Sequence, residues 1–583
     1  MKHKRVTRPN TAQDWKKIDW GRVQRNIFAI QCAIYHATKS DNSERIHQLQ
    51  RKLTRSFNAR ALAVRKVSIQ SSGKKTAGPD GLKNPSPAAC YDMASRLRLS
   101  HQPSPPRHIE IPKPGTDEMR KLSIPNLTDR AHQELIRMAL DPQWEARFPT
   151  RMFGFRRGRG QQDARRQIEL TLGKNPAWVL DADISKFFDC INRNALMDLI
   201  DSTSAIRKAI VRTLNTLGEP ADDGIPQGGP LCPLLANIVM TGLPAHIEES
   251  LRSSGIAHSP KSILYADDLL IIHKDRPTVE QAEVALVTYL DKFDLKLNTK
   301  KTKLRHTLAK TVDGEKAGFN FIGFRFQHFD KPRYNEPDKA LGDPPYLIVR
   351  PSDKSVANLL NEIRALIKGT LIIMKHRGAS RCRRDRKGTD QVSIMILRLN
   401  KRLKGWTNYY RHCNAKRTFS KIDHRTFQAL LHWGQRRFKH KSATWRKEHL
   451  FSGVETDSYG KPLRRRDGEL RERDWAFKSP FAPRDREHVT VIKASDTPTG
   501  WSPPMVKITR SYYDGDWHYW GGRSDSYPNI PKGINKAALK RQLGKCDACK
   551  ARFERGDQLV EVTCTKNGAP VRVLVHSHCH PSV

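Results

Sequence analysis

The stretch that decides the fold is KSILYADDLLII, residues Lys261–Ile272. Two adjacent carboxylates separate two apolar runs, and each run has the length and the residue types of a β-strand. The pattern predicts a β-hairpin with Asp267 and Asp268 at its tip. Burying adjacent carboxylates without a partner costs several kcal/mol or more. The pair therefore marks either an exposed turn or a place where a cation is held.

The composition points to a polyanionic partner. The 583 residues include 105 Lys and Arg against 60 Asp and Glu, which gives a net charge of +45. Such an excess favours nucleic acid binding, and the 37% of hydrophobic residues exceeds what a histone-like or ribosomal protein usually carries. No apolar run reaches the ~20 residues of a membrane helix. The basic start, Met1–Arg5, precedes no apolar signal core, so we expect a cytoplasmic ribonucleoprotein without a membrane partner.

A second acidic motif lies upstream in AWVLDADISKFFD, residues 177–189. An apolar strand leads into Asp183, and a turn with two aromatic residues follows. Asp181 and Asp183 share one face of a strand because side chains alternate with a period of two. Asp189 lies beyond the turn. The spacing alone does not choose which of the three carboxylates would hold a metal.

A third motif, GIPQGGPLCPLLAN, occupies residues 224–237. The glycines allow the backbone and a polar side chain, Gln227, to approach a planar ligand closely. The following apolar residues predict a helix whose leucines enter the core. An ordinary helix start and a ligand contact are compatible here.

Basic residues precede these motifs. Residues 109–125 predict two short strands joined by a turn, and Lys113 and Arg120 on that hairpin are candidates for binding a triphosphate. The loop Phe153–Gly160 combines glycines with arginines, so its amides and guanidinium groups are candidates for cradling phosphates. Apolar spacing predicts helices over the first 70 residues or so, with a basic face that favours RNA or DNA contact.

The last part of the chain predicts a metal site. A Cys-x-x-Cys pair is followed by His-x-x-Cys, which fits a tetrahedral Zn²⁺ ion. The predicted ligands are Cys546, Cys549, His576 and Cys579, and the alternatives His578, His580 and Cys564 stay open.

The ordered motifs resemble a known family. DISKFFD with Asp183, then PQGG with Gln227, then YADD with Asp267 and Asp268 occur in the order and at the spacing of a polymerase palm. The chain thereby resembles a reverse transcriptase, and most closely the group II intron-encoded reverse transcriptase/maturases. The resemblance extends from Trp15 to the C-terminal cysteines, and an ordered combination is far more specific than any single motif.

The resemblance implies roles for individual residues. Asp183, Asp267 and Asp268 would be catalytic and hold two Mg²⁺ ions. Phe188 would exclude a ribose 2′-hydroxyl, so that the product is DNA. Gln227 would contact the template–primer or the incoming base. The dNTP triphosphate would bind Lys113 and Arg120.

The resemblance also implies an α+β architecture, with right-hand fingers and palm and a helical thumb. The expected order is an N-terminal basic helical extension (1–72), fingers and palm (73–340), a thumb or maturase domain X (346–450), a DNA-binding region (451–538) and a degenerate HNH-like zinc module (539–583). The motif LNKRLKGWTNYYR, residues 399–411, identifies the maturase domain. This domain is absent from viral enzymes.

The expected function is an RNA-directed DNA polymerase and maturase. It would bind a group II intron RNA, promote splicing, and copy the intron into target DNA from dNTPs by target-primed reverse transcription during retrohoming. The alternative is an RNA-binding splicing cofactor that no longer polymerises. In the C-terminal module, Glu561-Val562-Thr563-Cys564 stands where the family has a His-His pair after Glu-Val. Loss of a general base costs about 10²–10⁴ in rate, so we expect HNH endonuclease activity to be lost.

Overall fold

The structure is a computed structural model of the chain. It describes residues 11–112, 119–217, 224–308, 311–312, 314–330, 345–376, 391–454, 463–465, 467–474, 476–479, 489–500, 505–516, 519–520, 536–542, 544–550, 553, 559–566, 569–576 and 579. The chain divides into two compact units. The first comprises Met1–Thr171, Trp178–Leu304 and Met505–Val583, and the second comprises Leu172–Ala177 and Arg305–Pro504.

The first unit begins with helices, as the apolar spacing predicts. Their bounds are α1 Thr11–Lys17, α2 Trp20–Lys39, α3 Ser43–Arg55, α4 Phe57–Arg65 and α5 Pro87–Arg96. Asp19 caps α2 by accepting the Arg22 backbone N–H, and Asn42 caps α3 by accepting that of Arg45, both at 2.9 Å. Such caps satisfy amide groups that a helix start leaves unpaired.

A hairpin and a long helix follow. Strands β1 (Arg107–Pro112) and β2 (Met119–Ile124) pair antiparallel, as predicted. Helix α6 (Leu127–Arg147) is buried along almost its whole length and packs against α2, α3 and α4. Two of its buried carboxylates are paired, because the Arg137 guanidinium contacts Glu134 at 2.6 Å and Asp141 at 2.9 Å. Pairing of this kind is what makes buried charge tolerable.

A small antiparallel sheet carries the predicted hairpin. Strand β3 (Trp178–Ala182) pairs with β5 (Asp268–His273), which pairs with β4 (Lys261–Tyr265), and β6 (Lys303–His306) lies beside β3. Because β5 is central and buried, it reads as the continuous apolar run LLII. Helices around the sheet are α7 Gln161–Leu172, α8 Phe187–Cys190, α9 Arg193–Leu199, α10 Ser204–Leu217, α11 Cys232–Met240, α12 Leu243–Ser253 and α13 Arg276–Asp291.

The second unit combines short strands with a helical bundle. Its elements are β7 Thr311–Val312, β8 Glu315–Lys316, β9 Phe319–Phe321, β10 Phe324–Phe329, β11 Tyr346–Pro351, α14 Asp353–His376, α15 Gln391–Tyr410, α16 Lys416–Arg437, α17 Ala443–Leu450, β12 Ser452–Val454 and β13 Glu472–Asp474. The aromatic residues of the predicted maturase motif join these elements. Tyr409 donates a hydrogen bond to the carbonyl oxygen of Ile322 at 2.8 Å, and Tyr410 donates to that of Gly323 at 3.1 Å. Trp406 packs against Tyr410, with ring centroids 4.3 Å apart.

The C-terminal part of the first unit contains α18 (Lys536–Arg541) and an antiparallel hairpin of β14 (Leu559–Lys566) and β15 (Ala569–His576). Before them, residues 505–516 pack on the N-terminal half of the same unit: the buried Tyr513 hydroxyl donates to Asp141 at 2.7 Å. Residues of the predicted DNA-binding region therefore occur in both units, and its function stays a prediction.

Within the described ranges, no helix combines the length and the apolar content needed to cross a lipid bilayer.

Candidate active site and metal site

The sheet register brings the predicted carboxylates to one face. Asp181 pairs with Leu270, and Ala182 pairs with Leu269. Asp183 follows Ala182 directly and Asp268 precedes Leu269, so the register carries these two residues toward each other. Directly paired residues, and residues two apart on one strand, lie on the same face of a sheet. Asp181, Asp183 and Asp268 therefore share a face, and Asp267 adjoins it in the hairpin turn.

The hairpin turn is tight and closely supported. Tyr265 pairs with Asp268, which leaves Ala266 and Asp267 as the turn, with Ala266 at φ +57°. The backbone of Gly154 passes so close beneath the turn that a β-carbon there would lie 2.2 Å from the Ala266 nitrogen. The side-chain amide nitrogen of Asn237, Nδ2, donates to the Gly154 carbonyl oxygen at 2.9 Å. These contacts fix the turn, and with it the two carboxylates.

The carboxylates repel one another. The pKa of Asp268 is raised to about 7, first because the surrounding protein desolvates its charged form and then because of the negative charges of Asp267, Asp181 and Asp183. The Asp268 residue nevertheless remains exposed to solvent. It is therefore a solvent-accessible acid in a strongly negative environment. A cation adjoins the cluster, since Lys301 Nζ lies 4.0 Å from Asp183 Oδ2. A bound cation would relieve the remaining repulsion.

The backbone of Asp183 is anchored by a loop far along the chain. Its amide donates to Thr302 Oγ1 at 3.2 Å, and its carbonyl oxygen accepts from the Asn298 amide at 2.8 Å. The neighbouring residues Lys301 and Thr302 thus both contact Asp183.

The structure separates the three carboxylates that the spacing left open. The negative charges of Asp181 and Asp183 both raise the pKa of Asp268. Asp189 is exposed on α8, and its charge is not among those that raise the pKa of Asp268. Asp181 thus joins the cluster alongside the three predicted catalytic residues. Which of these carboxylates hold metal stays a prediction.

Phe188 is positioned by the start of the QGG loop. The amide of Ile225 donates to the Phe188 carbonyl oxygen at 2.6 Å. The half-buried Phe188 ring packs edge-on against Phe187, with centroids 5.5 Å apart. Its role in excluding a 2′-hydroxyl stays a prediction.

Gln227 is held against the β1–β2 hairpin. Its carbonyl oxygen accepts from the Ser123 amide at 2.7 Å. Gly228 follows with φ at +134°. A β-carbon at this position would lie 2.0 Å from the Ser123 carbonyl oxygen, so there is no room for one. The hairpin also carries Arg120, which is exposed and pairs with Ile111. Lys113 lies outside the described residues. No contact between Arg120 and the carboxylates is present in the described part of the chain, so triphosphate binding stays a prediction.

The glycine-rich loop differs from expectation. The Arg156 guanidinium forms two bonds with Glu145, at 2.7 and 3.0 Å, and both side chains are only 2% exposed. The prediction that this loop cradles phosphates is wrong for Arg156, because its charge is already neutralised in the core. The loop instead supports the hairpin turn through Gly154.

The four predicted zinc ligands come together. One ligand atom from each of Cys546, Cys549, His576 and Cys579 lies within 4.8 Å of all the others. His576 Nδ1 is 3.4 Å from the Cys549 sulfur and 3.8 Å from the Cys579 sulfur. Hydrogen bonds from the Cys549 and Cys579 thiols lower the pKa of Cys546. Three sulfurs and one imidazole at this spacing fit the tetrahedral preference of Zn²⁺.

The open alternatives for this cluster fare differently. Cys564 pairs with Val571 within the β14–β15 hairpin and is not a member of the cluster. His578 and His580 lie outside the described residues. The cluster packs on α2, because a β-carbon at Gly21 would lie 1.8 Å from the Cys549 carbonyl oxygen.

Sequence reasoning missed the residues that support the site. Gly154 touches the turn, Asn237 holds Gly154, and Thr302 binds the backbone of Asp183, yet the sequence assigned none of the three a supporting role. One signal was present: a glycine between two bulky rings, Phe153-Gly154-Phe155, is typical of a close backbone approach.

Family models match three parts of the chain. Residues 15–97 match an N-terminal domain of reverse transcriptase, and residues 111–326 match a reverse transcriptase (RNA-dependent DNA polymerase). Residues 375–451 match a group II intron maturase-specific domain. The three matches follow one another in chain order.

The chain is also similar to individual proteins. The chain is 28% identical over 345 residues to protein YkfC of Escherichia coli, covering 51% of this chain and 87% of that protein. It is 33% identical over 150 residues to the group II intron-encoded protein LtrA of Lactococcus lactis, covering 24% of this chain and 25% of LtrA. Among solved structures, telomerase from Candida albicans aligns at 11% identity with a TM-score of 0.30, covering 60% of this chain and 64% of that one.

Proposed function

The chain belongs to the group II intron-encoded reverse transcriptase/maturases, and on that premise we propose that it copies RNA into DNA and assists an intron RNA. It would bind a group II intron RNA, promote its splicing and copy it into target DNA. The observation that carries the proposal is that Asp183 and Asp268 share one face of the sheet, with Asp267 beside them in the hairpin turn. The maturase match over residues 375–451 supports the RNA-binding part.

The acidic cluster fits a hard divalent cation. The pKa of Asp268 is raised by desolvation and then by the negative charges of its neighbours, and several carboxylate oxygens close together are the ligands that suit Mg²⁺. Asp183, Asp267 and Asp268 would hold two such ions. When bound, Mg²⁺ lowers the pKa of a primer 3′-hydroxyl and stabilises charge on the departing pyrophosphate.

The chain's own residues orient the substrate. The Gly154 and Asn237 contacts keep the two hairpin carboxylates in place, and the Thr302 contact keeps Asp183 in place. Phe188 would narrow the space beside the nucleotide sugar. Gln227, whose backbone is fixed to β2, would contact the template–primer or the incoming base.

The C-terminal cluster would bind one Zn²⁺ ion in a structural role. Four protein ligands fill a tetrahedral ion, which leaves no position for a reacting water. With Thr563 and Cys564 at the positions where the family has histidines, we propose that the module does not nick DNA. Nicking of a supercoiled plasmid by the purified protein would contradict this.

Primer extension on an RNA template tests the polymerase. We expect extension with dNTPs and little with NTPs, and we expect Asp268→Asn to reduce it at least about a hundredfold, the size of effect seen when one transition-state contact is removed. Asp189→Asn is the matched control, because Asp189 is exposed and outside the cluster. RNA affinity measured in parallel verifies that both variants fold.

Two outcomes would change the proposal. Full extension by Asp268→Asn would contradict the assignment of the acidic cluster. Intron splicing promoted by a wild-type protein that extends no primer would support the splicing-cofactor alternative instead.

A further inference from the structure

A cavity of about 500 Å³ lies in the first unit. None of the residues that line it belongs to the acidic cluster. Several distant parts of the chain form its walls. Helices α2 and α6 contribute Phe28 and Met138, the segment 505–516 contributes Tyr512, and the loop that begins the zinc cluster contributes Lys545 and Lys550. Its size is that of a small-molecule or nucleotide site.

The cavity wall is strongly basic. Five of its residues carry positive charge: Arg25, Lys66, Arg157, Lys545 and Lys550. Among the described residues of the lining, one is acidic: Glu134, which the Arg137 guanidinium contacts at 2.6 Å. Two of the cations have carboxylate partners outside the lining, because Arg157 lies 3.3 Å from Asp141 and Lys550 lies 3.1 Å from Asp547. The described lining still carries more cationic than acidic side chains, and this excess is complementary to a phosphate group.

The same wall offers aromatic surface. The Phe28 and Tyr512 rings meet edge to face with centroids 5.8 Å apart, and both are only partly buried. The Arg157 guanidinium lies 5.5 Å from the centre of the Tyr512 ring. An aromatic face with an arginine beside it is the arrangement on which nucleic acid bases stack.

We propose that this cavity binds one unstacked nucleotide of a single-stranded nucleic acid. The base would pack on Phe28 and Tyr512, and the adjoining phosphates would contact Arg25 and Lys545. An apolar ligand would leave the cationic rim unmatched, and a phosphate alone would leave the aromatic surface exposed. A nucleotide satisfies both parts of the wall. The inference goes beyond the proposed polymerase and does not depend on it.

Photocrosslinking tests the site in the full-length, zinc-loaded protein. The probes are one mixed-sequence 12-nucleotide strand made as RNA with 5-iodouridine and as DNA with 5-iododeoxyuridine. We expect the crosslink to map by mass spectrometry to Phe28 or Tyr512. A crosslink with RNA alone identifies RNA as the occupant, one with DNA alone identifies DNA, and one with both supports a site for either strand.

Charge reversal on α2 provides matched variants. Arg25→Glu changes a residue of the cavity wall, and Arg22→Glu makes the same change three residues earlier at an exposed position outside it. We expect Arg25→Glu to lower the crosslink yield about fivefold and the salt dependence of binding by about 0.7 in slope, and Arg22→Glu to leave the yield at Phe28 and Tyr512 unchanged. Lys545→Glu serves as a second variant from another wall.

Crosslinks that map elsewhere with both probes would overturn the proposal. Equal yields for Arg25→Glu, Lys545→Glu and Arg22→Glu would overturn it too, because only general electrostatic attraction would then be at work. Primer extension by the same preparations keeps this result separate from the polymerase assignment.

Discussion

At the scale of single residues, the acidic cluster depends on a residue without a side chain. Gly154 contacts the hairpin turn through its backbone, and the turn contains Ala266 in the left-handed region at φ +57°. A strained non-glycine residue persists only where its surroundings hold it. The position of Asp267 is thereby set by a residue more than a hundred positions earlier in the chain.

Gly154→Ala tests this support. A β-carbon at Gly154 would lie 2.2 Å from a backbone nitrogen, whereas one at Gly160 in the same loop meets nothing closer than 3.8 Å. Overpacking of this kind costs about 1–3 kcal/mol. We expect Gly154→Ala to lower the melting temperature and to reduce primer extension at least about tenfold, while Gly160→Ala stays near wild type. Equal activity of the two variants would contradict the role of Gly154.

The raised pKa of Asp268 gives a prediction for pH. An acid whose pKa is about 7 in the folded chain but near 4 when unfolded stabilises the fold only while protonated. That stability is present below about pH 4 and is lost as the pH rises through about 7. We expect Asp268→Asn to melt above wild type at pH 8 without added Mg²⁺, and to show a smaller gain at pH 5.5. Asp189→Asn should show neither gain, and a pH-independent gain in Asp268→Asn would contradict this origin.

At the scale of elements, the segment 505–516 belongs to the structure of the first unit. Tyr513 is fully buried, and its hydroxyl bonds Asp141 at 2.7 Å, which also binds Arg137. Leaving a buried charged acceptor short of a donor costs about 1–3 kcal/mol. We expect Tyr513→Phe to lower the free energy of unfolding by that amount.

The neighbouring tyrosine supplies the control. Tyr512→Phe removes a hydroxyl from a partly buried ring that packs on Phe28, so its effect should stay within about 0.5 kcal/mol. Chemical denaturation of both variants makes the comparison. Equal destabilisation would show that the Tyr513–Asp141 bond contributes nothing of its own.

The zinc cluster gives a second prediction for an element. We expect one Zn²⁺ per chain by metal analysis, lost in Cys546→Ser and retained in Cys564→Ser, because only the first residue is in the cluster. Removing zinc with a chelator should melt the C-terminal module first. Zinc retained by Cys546→Ser would mean that other residues form the site.

Elements that carry a local sequence pattern were predictable. The residues from distant parts of the chain that hold these elements in place were not. The hairpin at Lys261–Tyr265 and Asp268–His273 follows from two apolar runs on either side of two acids, and the zinc cluster was predicted from cysteine and histidine spacing. The contact between Gly154 and the turn joins distant parts of the chain, so no local pattern encodes it. Arg156 shows the converse, because a basic residue in a glycine-rich loop reads alike whether it faces phosphate or a buried Glu145.

At the scale of the whole molecule, the net charge of +45 governs how tightly nucleic acid is held. Each phosphate contact releases counterions, so affinity falls steeply with salt, by about 10³–10⁵ between 50 and 200 mM for six to ten contacts. We expect intron RNA binding to show a slope of this order in filter-binding titrations. If log affinity did not change with log salt concentration, the positive charge would be neutralised by contacts within the protein rather than by RNA phosphates.

The contact between Gly21 and Cys549 joins residues that leave the ribosome at very different times. Helix α2 emerges early in translation, whereas the cysteine loop that packs on it and completes the basic cavity emerges only after the whole second unit has been synthesised. A chain cut short before Lys545 by a premature stop codon would keep every palm aspartate and lack that wall. The cavity therefore forms only in chains whose synthesis has passed the cysteine loop.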